Sequence, residues 1–295
     1  MSIIAMLAAL GASMSWAAGA MIAHRPATHL GAFEFTRTQL ISSAFLLVLI
    51  TSWIGGWPSI AWQNWPAFVV SSLIGVIVSN LAMAACLRRG GPRRTQLLET
   101  ASAPIAAALG WLILGEAVSV QMLFGSAVAL GGIALAISYG SRSKAGVEPL
   151  RGSLVSVVVL GILAAAAQAV GLVAMKPALL AGTDPLAASA LRTGGAALTI
   201  SLVALWPAKA FAPVSERTGG IVLWAIFPGI LGYVVAVSLL LYALRNGNIG
   251  VAAVLGSTSP VLMLPMVWLA NKKRPPLPAC IGAVLVVLGV GAMLA

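Results

Sequence analysis

The chain has 295 residues, 60% of them hydrophobic and only 8% charged, with a formal net charge of +11. Soluble domains carry about a quarter charged residues, so this composition cannot cover a water-facing globule and reads instead as an all-α polytopic membrane protein. The positive excess lies in short gaps between apolar runs, not on a basic face with interleaved aromatics, which excludes nucleic acid as a partner and points to membrane topology.

Runs of about 20 apolar residues match the roughly 30 Å of hydrocarbon that a helix must cross. Ten such runs are read near 3–23, 33–54, 66–87, 95–114, 118–138, 153–175, 186–206, 220–243, 249–270 and 277–294. They are continuous and show no period-2 alternation, so helices are expected and not a barrel. The first, MSIIAMLAALGASMSWAAGA, has no basic leader and is followed by similar runs, so it is expected to stay as a mature span. Breakers mark the gaps: Arg25-Pro26, Gly55-Gly56-Trp57-Pro58, Gly90-Gly91-Pro92, Pro207 and Pro275-Pro276.

Loop charge is strongly one-sided. Arg25; Arg88, Arg89, Arg93 and Arg94; Arg142, Lys144 and Arg151; Lys209 and Arg217; and Lys272, Lys273 and Arg274 all fall in odd-numbered loops. The opposite side has only Lys176 and Arg245. Positive-inside logic places the odd loops in the cytoplasm and both termini outside, in a bacterial-type inner membrane.

The second half echoes the first. Pro104 in TASAPIAAALGWL answers Pro260 in GSTSPVLMLPMVWL, Arg25-Pro26 answers Lys176-Pro177, and Arg37 answers Arg192, each early in its span. Gly11, Ser15 and Gly19 in the first span match Gly161, Ala165 and Ala169 in the sixth, small faces that let helices approach closely. Each copy holds five spans, an odd number, so the second enters the membrane upside down, and the charge bias reverses with it. The boundaries expected are 1–140 for the first repeat, 141–151 for a cytoplasmic linker and 152–295 for the second. Inverted repeats of this kind are the architecture of alternating-access carriers, with the substrate site near the midplane.

Residues 102–138, SAPIAAALGWLILGEAVSVQMLFGSAVALGGIALAIS, carry a proline-centred helix, a Leu114-Gly115-Glu116 turn, Gln121, Gly125 and Gly131-Gly132. That pattern resembles the EamA-type proteins of the drug/metabolite transporter superfamily, strongly in the first repeat and in degenerate form in the second, where Lys272 stands for the turn glutamate. The resemblance implies a ten-helix exporter or exchanger of small metabolites that consumes no ATP and needs no cofactor. It extends to amino-acid exporters of the YddG type, which move aromatic and other neutral amino acids. Alternatives are a multidrug or nucleotide-sugar carrier of the same superfamily, and, from other classes, a lipid flippase or an intramembrane enzyme. An enzyme would need paired acids or histidines at one depth, and Glu99 has no such companion.

Charged residues inside spans face protein or water, because facing lipid is costly. Arg37 lies four residues in from Phe33 and Glu99 four in from Thr95, each about 6 Å deep at about 1.5 Å per residue, so a Glu99–Arg37 pair is expected. Glu99 is alternatively a coupling or substrate-amine site, and Arg192 a partner for a substrate carboxylate. Pro104 and Pro260 each delete a backbone hydrogen bond and are expected to kink their spans as hinges. Candidates for the cavity wall are Thr100, Ser102, Ser257, Thr258 and Ser259 beside those prolines, and Trp16, Asn80, Trp111, Gln168, Tyr233 and Tyr242. Trp53, Trp57, Trp62, Trp65 and Trp206 are expected at the interfaces, and Glu116 as a cap. His24 and His29 are the only histidines and have no metal-ligand spacing, so no metal is expected. The partners read from the sequence are a small-molecule solute and the bilayer, with the chain a monomer.

Overall fold

The computed structural model describes residues 3–115, 120–140, 150–206, 214–216, 218–236, 239, 258–272 and 277–294. Within them the regular structure is helical: α1 (Ile3–Leu30), α2 (Ala32–Ile54), α3 (Trp65–Val70), a π-helical stretch Ser71–Val78, α4 (Ser79–Glu99), α5 (Ser102–Leu114), α6 (Val120–Gly140), α7 (Leu154–Leu180), α8 (Pro185–Val203), α9 (Gly219–Gly229), a second π-helical stretch Ile230–Ala236, α10 (Ser259–Asn271) and α11 (Leu277–Leu294). Among the described residues six segments are long and apolar enough to cross a bilayer by themselves, and α5, α6 and α11 contribute shorter apolar helices. The fold is an all-α polytopic membrane protein.

Several sequence-based boundaries shift. α1 continues through Arg25-Pro26 to Leu30, and α7 through Lys176-Pro177 to Leu180, where breaks were expected. Each proline lies in the last turns, where one missing N–H costs a single bond and the remaining ladder holds. Reversal after α1 falls instead on Gly31 (φ 87, ψ 163), and in the expected Gly90-Gly91-Pro92 break it falls on Gly91 (φ 79, ψ 169), nearly identical backbone states that glycine alone adopts freely. At Gly91 the turn is so tight that Thr95 donates to Cys86 Sγ at 3.5 Å, nine residues back, whereas a straight helix would hold them about 13 Å apart. The expected solvated loop RRGGPRR is therefore a packed corner. Arg93 and Arg94 are only 3% and 4% exposed, and Arg94 donates to the Gly90 carbonyl at 2.9 Å.

Pro104 and Pro260 also differ from expectation. Both stand in the first turn of a separate helix, α5 and α10, not in mid-helix. The fourth span is interrupted one turn earlier, at Thr100-Ala101, where the missing Pro104 N–H leaves the Thr100 carbonyl without its ladder partner.

Contacts between the halves exchange when the repeats are exchanged. α2 packs on α8 and α6 on α11, each joining equivalent spans. The contact of α1 with α9 is answered by that of α7 with the third span, and α1 with α10 by α7 with α5. Connections pair likewise. Ala61 N donates to Thr183 Oγ1 at 3.0 Å and Asp184 N to Ser59 Oγ at 2.9 Å, while Val214 N donates to the Leu30 carbonyl at 3.3 Å. Arg151 N donates to the Arg89 carbonyl at 2.9 Å, so odd-numbered connections gather at one end, here called the arginine end, and the Asp184 connection lies at the other.

Candidate functional site

A cavity of about 350 Å³ opens between the two repeats, at the small end of the roughly 300–1,000 Å³ usual for small-ligand pockets. Its walls come from α1, α2, the third and fourth spans, α7, α8, the π stretch after α9, and the start of α10. Of the residues expected there, Trp16, Asn80, Glu99, Thr100, Ser102, Gln168, Arg192 and Tyr233 all line it. Trp111 does not; it is 58% exposed on the outer surface of α5. Thr258 precedes α10 outside the lining, although its neighbour Ser259 belongs to it. Tyr242, Ser257, Glu116 and Arg245 lie outside the described residues.

Local structure explains how these side chains converge. The π stretch Ser71–Val78 presents Gly75 and Val76 to the cavity, and its counterpart Ile230–Ala236 presents Gly232 and Tyr233. Such bulges turn side chains off the regular helical face and recur at functional sites. Across the cavity the Tyr233 hydroxyl donates to Asn80 Oδ1, tying the eighth span to the third. Asn80 is itself held by donating Nδ2–H to the Val76 carbonyl at 2.7 Å. Ser79 donates to the Ala164 carbonyl at 3.0 Å, and Ser259 to the Ser13 carbonyl at 3.1 Å, which anchors the wall to α7 and α1.

The charged residues sort differently from the expected Glu99–Arg37 pair. Arg37 donates to Glu34 at 3.3 Å on its own helix and does not line the cavity. Glu99 receives Gln96 Nε2 at 3.4 Å and faces the cavity. Because the fourth span begins directly after Gly91, Glu99 is eight residues inside it, about 12 Å deep and not the shallow 6 Å read from the sequence. Arg192 faces the same cavity, and no ion pair joins it to Glu99 or to any other carboxylate among the described residues. The Tyr233 hydroxyl stands within electrostatic range of both charges. The lining thus offers an acceptor for ammonium and a fork of donors for carboxylate, with Trp16, Phe35 and Tyr233 adding aromatic surface. No group of His, Cys, Asp or Glu suited to a metal occurs among the described residues.

Sequence reasoning missed Gln39, Ser79, Thr95, Gln96, Ser189 and Thr193, all of which line the cavity, whereas Ser259, expected beside Pro260, lines it too. A signal for several was available: Thr95 and Gln96 lie four and three residues before Glu99, and Ser189 three before Arg192, so each shares a face with a charge already singled out.

The model of the EamA-like transporter family matches residues 3–138 and again residues 155–295. The chain belongs to the EamA-like transporter family. Two matched copies account for the exchange symmetry of the contacts, and membership makes it a membrane transporter of small molecules. No curated protein matches the chain. A solved structure described only as "Crystal structure of protein" shares the fold at a TM-score of 0.69, with 18% identity over 98% of this chain and 95% of that one.

Proposed function

We propose that this EamA-like chain carries zwitterionic amino acids, neutral and aromatic ones included, outward across a bacterial-type inner membrane by alternating access, as a monomer. The observation that supports it is one small cavity faced by both Glu99 and Arg192 without a salt bridge between them. A free α-amino acid brings the complementary ammonium and carboxylate on one carbon. The Trp16, Phe35 and Tyr233 rings suit an apolar or aromatic side chain. A lipophilic cation would leave the Arg192 charge uncompensated in an apolar wall, and a nucleotide sugar exceeds the volume. Counterflow in proteoliposomes tests this with labelled phenylalanine, leucine, a lipophilic cation and a nucleotide sugar. Exchange of the two amino acids is expected; exchange confined to the cation or the nucleotide sugar overturns the reading.

A further inference from the structure

The two seams that exchange under repeat symmetry are not alike. Between the third and sixth spans, Gly75 and Gly171 meet backbone to backbone: a side-chain carbon built on Gly75 would lie 2.5 Å from Gly171 Cα. The seam continues through Phe68, Met175 and Ala178 to the Ala61–Thr183 hydrogen bond at the Asp184 end. Between the eighth and first spans the equivalent glycine, Gly232, meets among the described residues the Trp16 ring, 3.9 Å from where its side-chain carbon would be. One seam is zipped glycine on glycine; the other closes one turn away, where a side-chain carbon on Gly19 would lie 3.6 Å from the Pro228 carbonyl, and at Gly232 it holds an aromatic ring that lines the cavity. Arg192 adjoins the zipped seam, its Nη2 3.4 Å from where a Gly75 side-chain carbon would stand.

We propose that Arg192 and the Gly75–Gly171 seam form one device, in which the solute's carboxylate binds the Arg192 guanidinium and thereby favours parting of the seam toward the Asp184 end. The inference rests on the amino-acid reading above and assigns the carboxylate to this spot. A ligand shifts an equilibrium only by binding one state better than the other. A carboxylate is held best by two parallel N–H bonds from the planar guanidinium, and with the seam shut the Gly75 backbone stands beside one of those edges. Parting the seam frees the fork, so the carboxylate binds the open state more tightly. A decarboxylated amine takes nothing from Arg192 and leaves the seam shut. The π stretch that carries Gly75 is the irregular element of the span, of a kind that recurs at functional sites.

The test uses the full chain with Cys86→Ala and Cys280→Ala, and the pair Ala61→Cys/Thr183→Cys as a reporter across the seam. The disulfide is expected to form readily without ligand and to abolish counterflow until reduced; a cross-linked protein that exchanges solute at the wild-type rate overturns the gate. Phenylalanine is expected to slow disulfide formation at least fivefold and phenethylamine not at all, and Arg192→Gln is expected to erase the phenylalanine effect. Equal slowing by both compounds, or slowing that persists in Arg192→Gln, overturns the role of the carboxylate. Phenylalanine that is transported without altering the cross-linking rate overturns the device and leaves the amino-acid reading standing. If neither compound is transported, the amino-acid reading fails, and Gly171→Ala decides the gate alone. Its added methyl must push the seam apart and slow ligand-free disulfide formation several-fold, and an unchanged rate overturns the gate.

Discussion

Arg37 and Arg192 occupy equivalent places in the two repeats but have opposite fates, and one residue accounts for the difference. Three positions before Arg37 stands Glu34, which pairs with it; three positions before Arg192 stands Ser189, which cannot. The first copy neutralises its own arginine, and the second leaves its guanidinium to the cavity. Ser189→Glu is therefore expected to recreate the Glu34–Arg37 pair beside the cavity and abolish counterflow, while thermal unfolding stays within a few degrees of wild type; retained exchange in a folded Ser189→Glu protein contradicts the assignment. Glu99 has the complementary role. As a carboxylate it accepts the solute ammonium, so uptake should fall as pH drops and the group protonates. Glu99→Gln should show low exchange with a flat pH profile, read by counterflow between pH 5 and 8. Tyr233→Phe removes the donor to Asn80 Oδ1 and leaves a buried acceptor unsatisfied, an effect of about 1–3 kcal/mol. It should appear as a raised KM for exchange together with a lowered Tm.

At the scale of elements, the spans were legible because apolar length is a property of the sequence, whereas their ends were not. Arg25-Pro26 and Lys176-Pro177 look like breakers, yet both helices run through them, since a proline near a helix end removes a single bond. The corner at Gly91 was legible as a break but not as a packed one. The burial of Arg93 and Arg94 arises because a one-residue turn brings the third and fourth spans together at once. That tightness also moved Glu99 deeper than its distance from Thr95 implied. Gly91→Ala forces a side chain into a backbone region essentially reserved for glycine, at about 1–3 kcal/mol. A Tm lowered by several degrees in detergent is the expected result, and Gly31→Ala should add a contact 3.1 Å from Val214 Cγ2 to the same strain. An unchanged Tm for Gly91→Ala would show that the corner tolerates a different backbone state.

For the whole molecule, exchange of the repeats maps one set of contacts onto the other, and the hydrogen bonds between connections divide them into two ends. The arginine end carries Arg88, Arg89 and Arg151, so it is expected to face the cytoplasm. With native cysteines replaced, Gln63→Cys should react with a membrane-impermeant maleimide in intact cells, and Thr218→Cys should react only after permeabilisation. The reverse pattern would invert the orientation. Apolar run length, loop charge and the spacing of Pro104 against Pro260 are local quantities, so the sequence by itself determined the helical class, the two copies and the charge-rich end. Which polar groups meet was decided only by tertiary structure. Glu99 and Arg192 come from different repeats, and nothing in either copy records that packing of third span on sixth and first on ninth turns both toward one cavity. The unequal glycine seams are likewise invisible along the chain, because a backbone contact between Gly75 and Gly171 depends on what their spans pack against and not on the residues beside them.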